Sequence, residues 1–277
     1  MTQNLTGLED LSGFYNMNEN SLTKKFSKLN IGGLRYFDSI GSTNDEALAW
    51  AATGAPDFSL VIADEQTRGR GRLDRKWFTP KGSGLAFSLI LRPSADLHPH
   101  LSRTVGLAAL SIAESCSELG LAPLIKWPND ILLNGKKAAG ILIETVWSGD
   151  EVDSLVIGMG INLYKASVPP AELLQFPATS IEDELGKTPP ARLAREEIIF
   201  NILNAFLRWR ERIGTDGLLQ AWEEILAFRG EEVQVSGEVP IAGKLLGLES
   251  DGSLRLRDAN DKFVIVRYGD VSLRPSA

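Results

Sequence analysis

The sequence predicts an α+β protein in two parts: a larger domain whose sheet contains a central hairpin, and a small all-β domain at the carboxyl end. A helix is predicted at about 102–119, because apolar residues recur there at helical spacing. A hairpin is predicted around Asn134-Gly135, since this dipeptide favours the positive φ angles of a type I′ turn. After Gly230, short apolar segments alternate with Gly and Asp, which is typical of a small β-barrel.

The amino-terminal elements are predicted from composition and capping signals. Residues 1–34 are mostly polar, and we interpret them as an arm that precedes the globular part. A helix should start at Thr43, because Thr43 and Glu46 have the spacing of a capping box. Strands should follow at 58–63 and 85–91, because both segments are short apolar runs.

The remaining elements follow from the same signals. In the larger domain, further strands are predicted at 131–133, 138–146 and 155–160, and helices at about 191–212 and about 215–227. Residues 164–190 are rich in proline and should form a loop-rich crossing. Strands of the small domain are predicted at 232–236, 241–248, 253–257 and 262–267. The boundary near Phe228 gives an arm at 1–34, a larger domain at 35–228 and a small domain at 229–277.

Composition narrows the class of protein. The chain has 277 residues, 43% of them hydrophobic, which is enough for a buried core. One cysteine, Cys116, and two histidines, His98 and His100, cannot form an internal disulfide or a Cys/His zinc site. No apolar run is long enough for a transmembrane helix or a secretory signal, so we expect a cytoplasmic protein. The net charge of −7 argues against broad binding to nucleic acid.

A basic, glycine-containing segment stands out at residues 66–77. Five cations fall within nine residues there, interleaved with Gly69 and Gly71. Arginine offers paired donors to phosphate, and glycine lets the backbone approach a ligand closely. The segment is a candidate anion-binding loop that orders on its ligand, but a solvated basic loop or a nucleic-acid patch fits the same composition.

Polar residues also occur where a plain core would be apolar. Ser42, Thr43 and Asn44 stand at the predicted helix entrance, where they serve either as a cap or as a site for a polar ligand. Residues 126–130 place a cation, an amide and a carboxylate close together. Lys137 stands on an otherwise apolar strand, which is costly unless the strand edge is open or an anion lies nearby.

The residue types in these segments limit the kinds of reaction that the protein could catalyse. Residues 158–162 carry two glycines and Asn162 at a strand end, which favours close approach of a ligand. Two histidines in one loop do not suggest a Ser/His/Asp triad, and neither a P-loop nor a Rossmann motif is present. Cations, amides and a glycine loop suit charge stabilisation in phosphoryl or adenylyl transfer.

In this order, the segments resemble the motifs of the biotin–protein ligases, at 42–44, 66–77, 126–130, 137–144 and 158–162. The resemblance covers about residues 35–277. It implies a catalytic domain similar to class II aminoacyl-tRNA synthetases, with a mixed, mostly antiparallel sheet, followed by an SH3-like β-barrel. It also implies that biotin is activated with ATP and Mg²⁺ as biotinyl-5′-AMP and transferred to a lysine of a biotin carboxyl carrier protein domain.

The same resemblance assigns expected roles to single residues. Biotin is expected to contact Ser42, Thr43, Asn44, Gln66, Arg70, Gly71, Arg72 and Lys137. ATP is expected to contact Gly69, Arg70, Arg72, Trp77, Lys126, Asn129, Asn162, Trp222 and Arg274. Lys137, Arg70 and Arg72 are the expected catalytic residues, and Asp130 is the expected metal ligand. Asp74 departs from the pattern, because it adds a negative charge to the loop.

Two other functions share parts of this pattern. A lipoate–protein ligase uses a related fold and the same adenylation logic, and a biotin-sensing nucleic-acid-binding protein would use the basic loop differently. Bifunctional relatives carry an amino-terminal winged helix-turn-helix, which residues 1–34 are too few to form. We therefore expect a monofunctional ligase that is a monomer or homodimer and binds no DNA specifically.

Overall fold

The computed structural model describes residues 17–186, 194–236, 240–267 and 272–275. The larger part contains, in chain order, α1 (Glu19–Phe26), β1 (Gly33–Phe37), α2 (Thr43–Ala52), β2 (Ser59–Ala63), β3 (Leu85–Leu91), α3 (Thr104–Glu118), β4 (Pro123–Lys126), β5 (Asp130–Leu133), β6 (Lys136–Ser148), β7 (Glu151–Ile161), α4 (Ile181–Leu185), α5 (Arg195–Arg210) and α6 (Asp216–Glu224). The smaller part contains β8 (Glu232–Ser236), β9 (Ile241–Leu248), β10 (Leu254–Arg257), β11 (Phe263–Val266) and β12 (Ser272–Pro275).

In the described residues, the larger part is built on a seven-stranded sheet with the order β1-β2-β3-β7-β6-β5-β4. Strands β1 and β2 are parallel, and the other neighbouring pairs in this sheet are antiparallel. The predicted α+β class and the mixed, mostly antiparallel sheet are therefore confirmed.

The centre of the sheet is covered on both faces. Val61 and Ile90 form a small core with Ala47 and Ala51 of α2. The alternate side chains of the same strands, such as Leu89, belong to the main core with α3. Because successive side chains point to opposite faces, β2 and β3 are buried along their whole length, which explains their continuous apolar sequences.

Helix α3 has the apolar stripe that the sequence predicts. Val105, Ala109, Ile112 and Cys116 are all buried. Burial raises the pKa of the Cys116 thiol to about 12, so this cysteine is a protonated core residue and not a nucleophile. No helix in the described ranges is both long and apolar enough to cross a membrane.

The central hairpin also forms as predicted. Asn134 and Gly135 have φ angles of 46° and 74°, as a type I′ turn requires, and they join β5 to β6. Strand β6 then runs into a longer hairpin with β7, turning at Gly149, whose φ is 62°. This second hairpin carries residues 137–144 and 158–162 side by side.

The amino-terminal boundary of the larger domain was placed too late. Residues 17–34 are not an arm, because Leu22 and Phe26 of α1 are completely buried in the main core and Leu29 packs there too. Strand β1, which the sequence analysis missed, pairs with β2 from Gly33 onward. Residues 1–16 lie outside the described residues. The buried Leu22–Phe26 pair, at i and i+4 spacing, explains why so polar a segment packs on the domain.

Within the described residues, the smaller part forms a five-stranded sheet with the order β11-β10-β9-β8-β12, including the four predicted strands and β12, which was missed. Its β9–β10 turn, residues 249–253, lies against the larger part. Arg103 Nε donates to the carbonyl of Ser250 at 2.7 Å, and Trp127 Nε1 donates to the carbonyl of Gly252 at 2.9 Å. These bonds join the small sheet to α3 and to the segment after β4.

Candidate active site

The entrance of α2 is tied to the start of the arginine-glycine loop, our name for residues 66–77. The backbone N–H and the hydroxyl of Thr43 both donate to Gln66 Oε1, at 2.9 and 3.1 Å. Ser42 is the N-cap residue but makes no side-chain cap bond. The helix begins at Thr43 as predicted, but the predicted Thr43–Glu46 capping box is wrong, because Ser42 is the N-cap residue and the Glu46 side chain pairs with Arg35.

Asn44 lies buried between α2 and the sheet. Its Oδ1 accepts from the Ser88 hydroxyl at 2.6 Å, and its Nδ2 donates to Glu144 Oε2 at 2.9 Å. The glycine at 158 makes room for this side chain, because a Cβ there would overlap the Asn44 amide. The absence of a side chain at Gly158 therefore leaves the space that the Asn44 side chain occupies.

The arginine-glycine loop folds back on itself as a short hairpin. The Trp77 N–H donates to the Gly69 carbonyl at 2.9 Å, and the Gly71 N–H donates to the Arg75 carbonyl at 2.7 Å. The chain reverses at Leu73 and Asp74, whose φ angles are 57° and 56°. Aspartate tolerates this left-handed conformation better than most residues, which accounts for Asp74 at the exposed tip of the loop.

Trp77 places its indole flat on the sheet. Gly140 of β6 and Gly160 of β7 are direct cross-strand partners, and the ring covers both of them. A Cβ at Gly140 would lie 3.2 Å from Trp77 Cζ3, and a Cβ at Gly160 would overlap the ring. The two glycines thus create a flat floor that accepts a planar group.

Two of the four loop arginines, Arg70 and Arg72, reach acceptors on different segments. Arg70 binds Glu144 in a bidentate pair, with Nη1–Oε1 at 2.9 Å and Nη2–Oε2 at 2.6 Å, and it also pairs with Asp45 at 2.8 Å. The hydrogen bond that Arg70 donates to Glu144 raises the pKa of the Arg70 guanidinium. Arg72 donates to Asn129 Oδ1 at 3.3 Å. The loop is therefore anchored to both β6 and the segment before β5.

Lys137 has the anionic partner that its apolar strand requires. Its Nζ lies 2.6 Å from Asp130 Oδ1 and 5.6 Å from the centroid of the Trp77 ring. A quarter of its side chain is exposed, and its backbone pairs with the 177–179 segment through the Pro177 carbonyl and the Thr179 N–H. The amine is thus held beside the glycine floor.

The predicted metal ligand has a different partner. Asp130 pairs with Lys137, and the described residues hold no group of three or more His, Cys, Asp or Glu side chains placed to bind a metal. Mg²⁺ with ATP is usually held by one or two carboxylates together with phosphates and water. In the described residues the Asp130 carboxylate pairs with Lys137, and a contact of Asp130 with Mg²⁺ on the triphosphate stays a prediction.

Two further predicted residues, Asn129 and Asn162, bind the backbone around the site, and a third, Lys126, lies against an aromatic ring. Lys126 is buried, with its Nζ 4.4 Å from the centroid of the Phe176 ring. Asn129 Nδ2 donates to the Ile141 carbonyl at 2.8 Å. Asn162 is buried, and its Nδ2 donates to the Thr179 carbonyl at 3.1 Å. Asn129 and Asn162 hold neighbouring segments in place, whatever ligand the site binds.

The predicted ATP contact of Trp222 is wrong. The side chain is completely buried, packed between Gly106 of α3 and Gly252 of the β9–β10 turn. A residue with no accessible surface cannot stack on a nucleotide, so Trp222 belongs to the contact between the two parts. Arg274 lies in β12 opposite Gln234, and its side chain lies outside the described part of the chain.

Sequence reasoning missed two polar residues that connect the site. Ser88 is the single hydroxyl in the apolar strand β3, and Glu144 is a carboxylate within the long strand β6. A lone polar residue in an apolar strand was the available signal, and it was used for Lys137 but not for these two. Ser88 and Glu144 connect Asn44 with Arg70, while Lys137 is the cation beside the Trp77–glycine floor, where a carboxylate or phosphate can meet it.

Comparisons with known proteins agree with this geometry. Residues 36–162 match the Biotin/lipoate A/B protein ligase family. The chain is 36% identical to the biotin--[acetyl-CoA-carboxylase] ligase of Paracoccus denitrificans over 81% of this chain and 94% of that protein. It is 35% identical to the bifunctional ligase/repressor BirA of Bacillus subtilis over 87% of this chain and 74% of that protein.

A solved structure gives the same answer for the fold. The biotin protein ligase from Aquifex aeolicus in complex with biotin and ATP superposes with a TM-score of 0.75 at 28% identity. The match covers 88% of this chain and 99% of that one. The fold and site define a protein of the adenylate-forming ligase type. The chain belongs to the Biotin/lipoate A/B protein ligase family, among its biotin protein ligases.

Proposed function

We propose that this chain activates biotin with ATP and transfers the biotinyl group to a lysine of a biotin carboxyl carrier protein domain. The observation that carries the proposal is the Trp77–glycine floor with the Lys137 ammonium beside it, formed by the loop that also contains Gln66, Arg70 and Arg72. A flat apolar floor, a polar end and three cations match a small bicyclic acid that must meet a nucleotide phosphate.

In the first step, a carboxylate oxygen of biotin attacks the α-phosphorus of ATP, and the bond to pyrophosphate breaks. Both reactants are anionic, so fixed cations reduce their repulsion and stabilise the charge that develops. Lys137 is the residue that we assign to the carboxylate and the α-phosphate, because Asp130 and the 177–179 segment hold its side chain and backbone in place. Arg70 and Arg72 approach the same groups from the loop.

In the second step, a carrier lysine attacks the acyl carbonyl, AMP leaves with the electron pair of the anhydride bond, and the new amide loses a proton. The anhydride must be kept from water until the carrier arrives. We assign this shielding to the arginine-glycine loop, which folds back over the floor through its Gly69–Trp77 and Gly71–Arg75 bonds.

Four residues at the entrance of α2 and the start of the loop are the proposed contacts for biotin. Ser42, Thr43 and Asn44 are almost fully buried, so they offer fixed donors and acceptors without the cost of ordering them. Gln66 presents its amide beside them. A ureido ring carries both N–H donors and a carbonyl acceptor, which this mixture of amides and hydroxyls can satisfy.

The proposal extends to the setting of the reaction. Because ATP is a substrate, we place the protein in the cytoplasm, with Mg²⁺ entering on the triphosphate. The absence of specific DNA binding and the monomeric or homodimeric state stay predictions. A gel-shift titration with a biotin-operon promoter and a scrambled control tests the first of these, and light scattering tests the second.

One assay tests the proposal. The purified protein is incubated with labelled ATP and either biotin or lipoate, and adenylate and pyrophosphate are measured. We expect biotinyl-AMP with biotin alone, followed by label transfer when a carrier domain with its target lysine is added. Adenylate formation from lipoate, or none from either acid, would contradict the proposal.

A further inference from the structure

Glu144 lies at a junction that the roles assigned above do not use. Its two carboxylate oxygens accept from three donors, two on Arg70 and one on Asn44. About a quarter of its side chain is exposed, so it is held between the loop and the sheet. The carboxylate therefore connects the arginine-glycine loop with Asn44, which is buried between α2 and the sheet.

The connection continues through the protein as a closed chain of hydrogen bonds. The Ser88 hydroxyl donates its one hydrogen to Asn44 at 2.6 Å, and it can accept from the Thr43 hydroxyl, 2.8 Å away. The Thr43 backbone N–H donates to Gln66 at 2.9 Å, and Gln66 begins the same loop that contains Arg70. This series of hydrogen bonds therefore begins at Arg70 and ends at Gln66, two residues of the same loop.

This arrangement differs from an ordinary surface ion pair. Surface pairs contribute little, because they are screened and must order two long side chains. Here the pair is bidentate, Asn44 and Ser88 are buried behind it, and Gly158 leaves the space that Asn44 occupies. Bidentate geometry within a network is the case in which such a pair does hold structure together.

We propose that Glu144 is a positioning residue that latches the arginine-glycine loop closed through Arg70. It does not touch the reacting atoms. By holding Arg70, it keeps the loop over the adenylate and sets the fraction of adenylate that survives until a carrier arrives. The inference rests on the proposed function for its reaction readout, but the latch itself is a property of the chain.

The test compares Glu144→Gln with the wild type. Glutamine keeps an acceptor for Asn44 but loses the charge that binds Arg70. Without a carrier, adenylate that escapes is hydrolysed by water at the acyl carbonyl to biotin and AMP, so the rate of AMP release measures leakage. We expect leakage about tenfold faster, as for one lost charge-assisted hydrogen bond, with a smaller change in the single-turnover rate of adenylate formation.

Glu114→Gln is the matched control. Glu114 also accepts from an arginine, Arg208, and from one further N–H, that of Trp209, but it lies on α3 outside the site. It should leave leakage unchanged. In a double variant, Glu144→Gln should add nothing to the leakage of Arg70→Ala, because both changes break one latch. Normal leakage in Glu144→Gln, or additive effects in the double variant, would overturn the proposal.

Trypsin digestion without any ligand separates this inference from the proposed function. The loop has five tryptic sites between Arg68 and Lys76, and Glu144→Gln should be cut there several times faster than Glu114→Gln. If the wild type makes no adenylate, the proposed function fails, and trypsin alone decides the latch. Equal cutting of the two variants would then overturn it.

Discussion

The ammonium of Lys137 lies 2.6 Å from Oδ1 of Asp130, so the cation proposed to act on the substrate is already paired within the protein. The carboxylate holds the ammonium in place beside the strand. A substrate anion that approaches from the Trp77 side can share the ammonium, because an ammonium has three donors. The pair thus prepares the site for a carboxylate or a phosphate.

Lys137→Ala should slow adenylate formation by about 10²–10³, as removal of one fixed charge donor usually does. The measurement is single-turnover formation of labelled adenylate, with circular dichroism to verify the fold. Lys136→Ala is the control, since Lys136 precedes Lys137 but pairs with Glu184 away from the floor. Near-normal formation in folded Lys137→Ala would remove this residue from the mechanism.

Gly160→Ala should displace the Trp77 indole, because the added Cβ overlaps the ring. We expect about tenfold weaker biotin binding, the scale of an overpacked contact, measured by calorimetry. Gly33→Ala is a matched control: its Cβ would also meet a tryptophan, Trp50, at 2.9 Å, but in β1 outside the site. Equal affinities in the two variants would exclude a role for the floor.

Trp222→Phe should lower the free energy of unfolding by about 1–3 kcal/mol, because it shrinks a fully buried side chain. The KM for ATP should stay within about twofold, since the ring has no accessible surface for a nucleotide. Urea denaturation and steady-state kinetics check the two halves. A large rise in the KM for ATP with unchanged stability would instead support a contact between Trp222 and ATP.

Glu184 should make stability depend on acid pH. Burial raises its pKa, but hydrogen bonds from Thr179, Asn134 and Lys136 lower it more, so the pKa lies below the ordinary value of 4.5. The carboxylate therefore contributes stability above that ordinary value and loses it as the pH falls through the lowered pKa.

Glu184→Gln should then reduce the free energy of unfolding at pH 7 by about 1–2 kcal/mol, with the difference shrinking in acid. Thermal denaturation over a pH series measures it, and Glu172→Gln, at an exposed position, is the control. A difference that stayed constant down to acid pH would contradict the linkage.

Local signals predicted many of the elements of the described fold. Asn134-Gly135 predicted its turn, and the buried runs predicted β2 and β3, because these patterns are read within a few residues. Strand β1 and α1 were missed because their burial depends on distant partners: β1 pairs with β2, and α1 packs against α5. Periodicity in a short polar segment cannot show what will cover it.

Among the site residues, too, local signals were found from the sequence and long-range contacts were not. Lys137 was found because a cation among apolar residues is costly, whatever lies around it. Its pairing with Asp130 was not predicted, because spacing along the chain does not tell which two charges will meet. Trp222 was misassigned since only the packed structure shows that Gly106 and Gly252 enclose it.

The contact of the β9–β10 turn with Trp127 and Trp222 has a practical consequence for dissecting the protein. Trp127 is bound to Gly252 and stands directly after Lys126 and shortly before Asn129, so the small sheet buttresses the segment that carries site residues. A chain cut after Phe228 would expose the indoles of Trp127 and Trp222 and would remove the contact that supports residues 126–129. Expressed separately, the larger part is therefore expected to aggregate and to have low activity, so it is not a minimal enzyme.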